Sequence, residues 1–72
     1  MTTETKCQFR ETMEKLGLKP RGLALEVGLR ADTIRGYMRG NPASQTARYA
    51  IRVALESIYN RRFTDEEIWG QQ

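Results

Sequence analysis

The 72-residue sequence predicts a compact all-α domain of four or five helices. Apolar residues recur every three or four positions along several segments, which is the spacing of a buried helical face. No segment shows the strict apolar–polar alternation of a half-buried strand. Glycine and proline interrupt the helical segments at short intervals, so each helix is short and must be stabilised by packing against the others.

The length is that of one domain, which we take as residues 1–72. A domain of this size buries only about 60% of the surface that its unfolded chain exposes, so its core is thin. We therefore expect neither a second domain nor a deep substrate pocket.

The first two helices are predicted from their terminal signals. Thr5 and Gln8 have the spacing of a capping box, so we expect the first helix to begin at Thr5. Apolar residues at positions 9, 13 and 16 mark its buried face, and Gly17 is suited to the left-handed conformation that ends a helix. The second helix is predicted to open at Pro20, whose missing N–H costs nothing in a first turn, and to end at Gly28.

The third and fourth helices follow the same logic. The third is predicted from about Ala31 to Arg39, with the next residues, Gly-Asn-Pro, ending it. Ser44 is predicted to cap the fourth and longest helix. On that helix Arg52 and Glu56 have the spacing of an exposed ion pair.

Positive charge is concentrated in the middle of the chain. Residues 19–62 contain nine Lys and Arg against three Asp and Glu, whereas residues 63–72 contain three acidic residues and no basic one. Such a block is typical of a protein that binds a polyanion. A solvated surface accounts for it equally well, so charge alone does not decide the function.

The segment 20–40 carries the most specific pattern. Ala24 is small where two short helices would cross, and Gly28 supplies the positive φ that redirects the chain between them. Leu29 would insert into the core from the turn, and Ile34 would lie beneath the second helix. These are the packing requirements of a helix-turn-helix at about residues 20–40.

This segment resembles the phage-repressor type of helix-turn-helix, the Cro or XRE family. The resemblance covers about residues 9–58 and is most detailed from 16 to 41. The residues that match the family's structural positions are Leu23, Ala24, Val27, Gly28, Leu29, Ile34, Tyr37 and Gly40. The resemblance implies a lambda-repressor-like bundle, usually dimeric, that regulates transcription by sequence-specific DNA binding, here as a repressor. Residues 49–56 also resemble the fourth helix of small phage autorepressors of the anti-CRISPR-associated type.

By this resemblance, a helix starting near Arg30 enters the major groove and meets base edges. The residues expected to face the bases are Arg30, Ala31, Asp32, Arg35 and Gly36. Arg35 is the first candidate because a guanidinium can bind guanine O6 and N7 together. Asp32 either accepts from cytosine, orients Arg35 or stabilises the helix N-terminus, and a structural or orienting role is favoured. Gly36 either lets the backbone approach DNA closely or is a tolerated helix defect.

Phosphate contacts are expected on both sides of that helix. The candidates are Lys19, Arg21, Arg39, Ser44, Gln45 and Arg48. The free N–H groups at the start of the fourth helix also suit an anion. Two positions depart from the family: Pro20 replaces a frequent Gln, and Arg30-Ala31 replace a frequent Ser or Thr followed by Gln or Arg. For each basic residue taken singly, a solvated charge is the competing interpretation.

The segment 59–72 is rich in large apolar residues and includes a second capping-box pattern, Thr64 with Glu67. A short fifth helix is expected there, with Phe63 packing on Ile68. The large apolar residues are Tyr59, Phe63, Ile68 and Trp69. They either pack against the first helix or form a dimer interface; the second is favoured, because two-fold symmetry is the commonest in oligomers and matches a palindromic operator.

The sequence bears on three classes of function. A DNA-binding repressor, acting as a homodimer on double-stranded DNA, is the first. A protein-interaction module on the same fold, such as a phage accessory or antitoxin-like factor, is the second. An enzyme is not expected, since the sequence has no histidine and no nucleophile–base motif.

Cofactors and membrane segments are not expected either. With one cysteine and no histidine, a zinc site would need mostly carboxylates, which zinc seldom uses alone. No apolar stretch approaches the roughly 18 residues of a spanning helix. The start of the sequence has neither the basic nor the apolar region of a signal peptide, and a cytoplasmic location is therefore expected.

Overall fold

The computed structural model describes residues 7–70 and confirms the all-α class. The helices in this range are α1 (Gln8–Leu16), α2 (Pro20–Val27), α3 (Ala31–Met38), α4 (Gln45–Tyr59) and α5 (Asp65–Trp69). No strand occurs between residues 7 and 70. Residues 7–70 thus form the five-helix version of the predicted bundle.

The first helix begins later than its sequence pattern indicates. Cys7, in an extended conformation, is the N-cap of α1, so the prediction of a helix starting at Thr5 is wrong; Thr5 itself lies outside the described residues. The Cys7 Sγ donates to the carbonyl of Tyr37 at 3.3 Å. This contact holds Cys7 against α3, and its extended backbone prevents the helix from passing through it.

The turn between α2 and α3 depends on Gly28. Its φ of 83° is left-handed, and its N–H donates to the carbonyl of Ala24 at 2.8 Å. The N–H of Leu29 reaches the same carbonyl at 3.0 Å. A β-carbon at this φ would be strained, so glycine allows a turn of only three residues before α3. α2 packs against both α3 and α4.

All five helices contribute to one core. Its buried apolar members are Phe9, Met13, Leu23, Ala24, Ile34, Ile51, Ala54, Leu55, Phe63, Ile68 and Trp69. The Trp69 indole stacks on the Phe9 ring, with 4.5 Å between centroids and 14° between planes. The edge of Tyr37 approaches the same indole at 6.1 Å. α5 therefore closes the bundle by packing on α1.

This packing corrects the prediction that the C-terminal aromatic and aliphatic residues form a dimer interface. Ile68 is fully buried, and Phe63 and Trp69 are 4% and 8% exposed. Tyr59 is half-buried, with its hydroxyl donating to the carbonyl of Leu16 at 3.2 Å. Phe63, Ile68 and Trp69 thus pack within one chain and leave almost no surface for a second copy, whereas Tyr59 stays partly exposed.

The Arg52–Glu56 pair is also placed differently from the prediction. The two side chains are 3.5 Å apart, but they are half-buried rather than exposed. Arg52 also binds Asp65 at 3.2 Å, and the Glu56 carboxylate accepts from the N–H of Phe63 at 3.0 Å. The chain folds back after α4 and partly covers the pair. Through these contacts, Arg52 and Glu56 connect α4 to the start of α5.

Thr12 joins the two terminal helices through a buried hydroxyl. Its Oγ1 lies 2.9 Å from the carbonyl oxygen of Gln8 and 3.0 Å from that of Glu67. The Glu67 carbonyl lies in the last turn of α5, where carbonyls have no partner within the helix, and it also accepts from Gln8 Nε2 at 3.2 Å. We expect Thr12→Val, which keeps the shape and removes the donor, to lower the free energy of unfolding by about 1 kcal/mol.

Urea unfolding followed by circular dichroism measures this change. Thr46→Val is the matched control, because Thr46 is exposed on α4. It should alter stability by less than about 0.5 kcal/mol. Equal stability of Thr12→Val and wild type would show that the hydroxyl adds nothing.

Ionisation of Glu67 makes the stability contributed by the N-cap of α5 depend on pH. Its carboxylate accepts from Arg61 at 2.7 Å, and it completes the capping box with Thr64. The hydrogen bond from Arg61 is the largest cause that lowers the pKa of Glu67 in the folded protein. A lowered folded pKa stabilises the fold above the unfolded pKa, and this stabilisation is lost as the pH falls through the folded value.

We therefore expect wild type to exceed Glu67→Gln in stability at pH 7, and the difference to shrink as the pH falls below about 4.3, the ordinary value for a glutamate. Urea unfolding of both proteins across a pH series from 7 to 3 provides the test. Glu26→Gln, on the exposed side of α2, serves as control. A gap that stays constant in acid would contradict the assignment to ionisation of Glu67.

Candidate nucleic-acid interface

The outward side of α3 carries an arginine oriented by an aspartate. Arg35 Nη1 lies 2.9 Å from Asp32 Oδ1, one turn earlier on the helix. The two side chains are 49% and 87% exposed, so the pair adds little to stability. Arg35 can exchange this carboxylate for another acceptor at small cost. Arg30, the N-cap of α3, is exposed beside them.

Two other residues predicted to face the bases present little to a ligand. Ala31 is half-buried and packs against the core. Gly36 is buried, and a β-carbon placed on it would lie 2.9 Å from Asn41 Nδ2. The N–H of Asn41 also donates to the Gly36 carbonyl at 3.0 Å. The prediction that Gly36 faces DNA is therefore corrected: its missing side chain makes room for Asn41.

An open depression lies where α1, the start of α2 and α3 meet. Its volume is about 350 Å³. The residues that line it are Arg10, Pro20, Arg35, Met38 and Arg39. Three guanidinium-bearing residues thus surround one concave surface, whose floor includes an apolar part from Pro20 and Met38. Such a surface suits an anion with an apolar or aromatic neighbour.

Arg10 was not singled out by the sequence pattern. In α1 it forms an exposed pair with Glu14 at 3.1 Å, which is the ordinary role of a helical arginine. Its place beside Arg35 and Arg39 follows from the packing of α1 on α3. No local signal in the sequence marks that proximity.

The predicted phosphate-binding residues occupy different surroundings. Lys19 and Arg21 are exposed at the start of α2, and Arg39 is exposed at the end of α3. Ser44 caps α4 by accepting from the N–H of Ala47 at 3.1 Å, and Gln45 is exposed in the first turn. Of the predicted phosphate-binding residues, Arg39 alone lines the depression.

Arg48 is held at the junction of α4 and α5. Its guanidinium carbon lies 5.3 Å from the centre of the Trp69 ring, which is within range of a cation–π contact. Arg48 Nε and Trp69 Nε1 are both buried with no hydrogen-bond acceptor among residues 7–70. Arg48 therefore packs on the core as well as carrying charge.

Some basic residues are neutralised by ion pairs and others are not, and only the latter carry charge that is available to a ligand. Two acidic residues of α5 form ion pairs with basic residues: Asp65 with Arg52 at 3.2 Å, and Glu67 with Arg61 at 2.7 Å. The basic residues that make no ion pair within residues 7–70 include Lys19, Arg21, Arg30 and Arg39. Lys15, Arg48 and Arg62 make no ion pair in this range either, so the available charge lies around α2 and α3 and also on α1, on α4 and in the connection to α5.

Three further observations concern metal sites, membrane spans and relatives. In the part of the chain that the structure describes, no three His, Cys, Asp or Glu side chains are grouped to hold a metal ion. No helix there combines the length and apolar character of a membrane span. Comparison with protein-family models, with curated proteins and with solved structures gave no match to this chain.

The packing of Gly36 against Asn41 predicts coupled effects on stability. Alanine is favoured over glycine inside a helix by about 1 kcal/mol. In wild type, Gly36→Ala should raise the free energy of unfolding by less than this, because the Asn41 amide must move to make room for the new β-carbon. In the Asn41→Ala background, Gly36→Ala should raise the free energy of unfolding by the full amount. The coupling energy between the two substitutions should therefore be roughly 0.5 kcal/mol.

Urea unfolding of the four proteins in this cycle measures the coupling. Gly22→Ala in α2 is the matched control, since its β-carbon would meet only Leu18 Cδ1 at an ordinary 3.5 Å. Its gain should be the same with or without the Asn41 side chain. Additive effects of the Gly36 and Asn41 changes would refute the steric assignment.

Proposed function

We propose that this protein is a sequence-specific DNA-binding regulator, a transcriptional repressor that inserts α3 into the major groove. The observation that carries the proposal is the convergence of Arg10, Arg35 and Arg39 around one open depression where α1, the start of α2 and α3 meet. An arginine cluster that faces solvent, in which Arg10 and Arg35 have only exposed acidic partners and Arg39 has none within residues 7–70, is suited to a polyanion.

The arrangement of α2 and α3 supports this function. The two helices pack together across a turn of three residues, in which Gly28 is left-handed and Leu29 is half-buried. We infer that they act as a helix-turn-helix, with α2 lying across the DNA backbone and the start of α3 near the bases. The half-buried side of Ala31 and the exposed side chain of Asp32 fit a helix packed on one side and open on the other.

Arg35 is the proposed reader of a base. Its guanidinium is exposed and oriented by Asp32, so it can turn toward guanine O6 and N7 without a large conformational cost. Asp32 then acts through Arg35, by limiting the orientations that its guanidinium samples. Arg30, which makes no ion pair within residues 7–70, is the second proposed reader.

Phosphates are the proposed ligands of the surrounding basic residues. Lys19 and Arg21 at the start of α2 and Arg39 at the end of α3 lie at opposite ends of the two helices. Arg10 adds a contact from α1 that the family resemblance does not supply. Ser44 and Gln45 would present the free N–H groups of α4 to another phosphate, with Arg48 nearby on the same helix.

The competing function is binding to a protein partner on the same fold. The unpaired basic residues around α2 and α3 weigh against it, because exposed charge at Arg21, Arg30 and Arg39 is more useful for binding a polyanion than for binding a neutral protein surface. The proposed partner is double-stranded DNA with a palindromic site, bound by two copies of the chain.

We expect Arg35 and Arg39 to differ in their effects on DNA binding. A site is first selected from random duplexes, and fluorescence anisotropy is then measured over a salt series. Arg35→Ala should weaken the selected site by about 1–3 kcal/mol and relax its sequence preference. Arg39→Gln should weaken all duplexes alike and reduce the magnitude of the salt slope by about 1.

Arg62→Gln is the matched control, because Arg62 is exposed between α4 and α5, away from the depression. It should leave the selected site's affinity nearly unchanged. Equal affinity for every duplex would make the protein a nonspecific binder. No binding at low salt would overturn the proposal and favour the protein partner.

A further inference from the structure

The depression between α1, the start of α2 and α3 has an apolar part as well as its three arginines. Pro20 and Met38 are its other lining residues, and both are half-buried. A DNA phosphate is bound through charge and hydrogen bonds, so it gains nothing from a proline ring or a thioether beside it. Contact with the DNA backbone therefore accounts for the arginines of the depression but not for its apolar part.

The lining of the depression carries positive charge only. Arg10 pairs with Glu14, whose side chain is 62% exposed. Arg35 pairs with Asp32, which is 87% exposed, and Arg39 makes no ion pair within residues 7–70. An internal DNA phosphate carries a single negative charge, whereas a terminal phosphate monoester carries about 1.5 to 2 at neutral pH. Three guanidiniums around one concave surface therefore match a monoester better than a diester.

The apolar part of the depression suits a flat ring. Methionine sulfur makes favourable contacts with aromatic rings, and guanidinium groups stack on aromatic faces while they bind oxygen atoms. The volume of the depression is about 350 Å³. Small-ligand sites range from roughly 300 to 1,000 Å³, so this depression is at the lower end of that range. It offers room for one ring with an attached phosphate group.

We propose that the depression binds a small aromatic phosphate monoester of the nucleoside monophosphate class, and that this ligand competes with DNA for Arg35 and Arg39. The guanidiniums hold the phosphate group, and Pro20 and Met38 lie against the ring. Competition follows because one guanidinium cannot bind the ligand and a duplex together. The binding of the ligand does not depend on the proposed function, whereas its effect on DNA rests on that function.

Ligand binding is measured without DNA, with AMP as the probe. An NMR titration should give saturable shifts at the side-chain Nε–H groups of Arg10, Arg35 and Arg39, together with a ring-current shift of the Met38 methyl group. Ribose 5-phosphate, which lacks the ring, and adenosine, which lacks the phosphate, should each bind at least about fivefold more weakly.

Arg10→Gln and Arg62→Gln form a matched pair of variants. Each removes one exposed positive charge, but only Arg10 lines the depression. Arg10→Gln should raise the Kd for AMP about tenfold, because a charge-assisted hydrogen bond to the phosphate is lost. Arg62→Gln should change it by less than about twofold, because solvent and salt screen its charge. Circular dichroism verifies that both variants are folded.

Competition is measured by fluorescence anisotropy with the selected duplex, at an ionic strength kept constant with NaCl. AMP at about ten times its own Kd should raise the apparent Kd of the duplex about elevenfold, as mutually exclusive binding requires. Adenosine at the same concentration should leave the apparent Kd unchanged.

The outcomes separate the two proposals. Shifts spread evenly over all basic residues, or inorganic phosphate that binds as tightly as AMP, overturn the inference, because the depression then selects no ring. AMP that fails to bind a protein which still binds its duplex overturns the inference and leaves DNA binding intact. AMP bound at the depression of a protein that binds no duplex supports the ligand site and refutes the proposed function. An unchanged duplex Kd at saturating AMP overturns the competition.

Discussion

The stacking of Trp69 on Phe9 is the contact that holds both ends of the described chain in one fold. The same indole meets the edge of Tyr37 on α3 and the guanidinium of Arg48 on α4. One side chain from a five-residue helix thus touches α1, α3 and α4. In a domain with so thin a core, a large aromatic group supplies a considerable share of the buried apolar surface. The relative position of α1 and α3 depends on it.

That position determines the candidate interface. Arg10 on α1 comes near Arg35 and Arg39 only because α1 packs on α3. Clustered guanidiniums repel one another in the free protein, and two of the three are offset by the local partners Glu14 and Asp32. These partners are exposed and weakly bound, so a ligand of the proposed polyanionic class would replace them at small cost. The core thus holds together a charge cluster that would otherwise separate.

Features set by neighbouring residues could be predicted from the sequence, and features set by distant ones could not. The cap at Thr64, the start at Pro20 and the left-handed turn at Gly28 each depend on a few adjacent residues, and all three were confirmed. The start of α1 depends on the reach of Cys7 to another helix, and the environment of Gly36 depends on a side chain beyond the end of α3. No periodicity encodes such contacts.

The apolar residues of the last two helices also show that a local pattern does not determine contacts between distant parts of the chain. Helical periodicity marks a side chain as one that needs burial, but a core and an interface between copies require the same pattern. α5 folds back on α1, so Ile68 and Trp69 find their burial within one chain. The fold covers only one side of α4 and leaves Tyr49 and Val53 in solvent. The periodicity of α4 is therefore satisfied on the side that faces the core, and the same pattern does not say which apolar residues the fold leaves exposed.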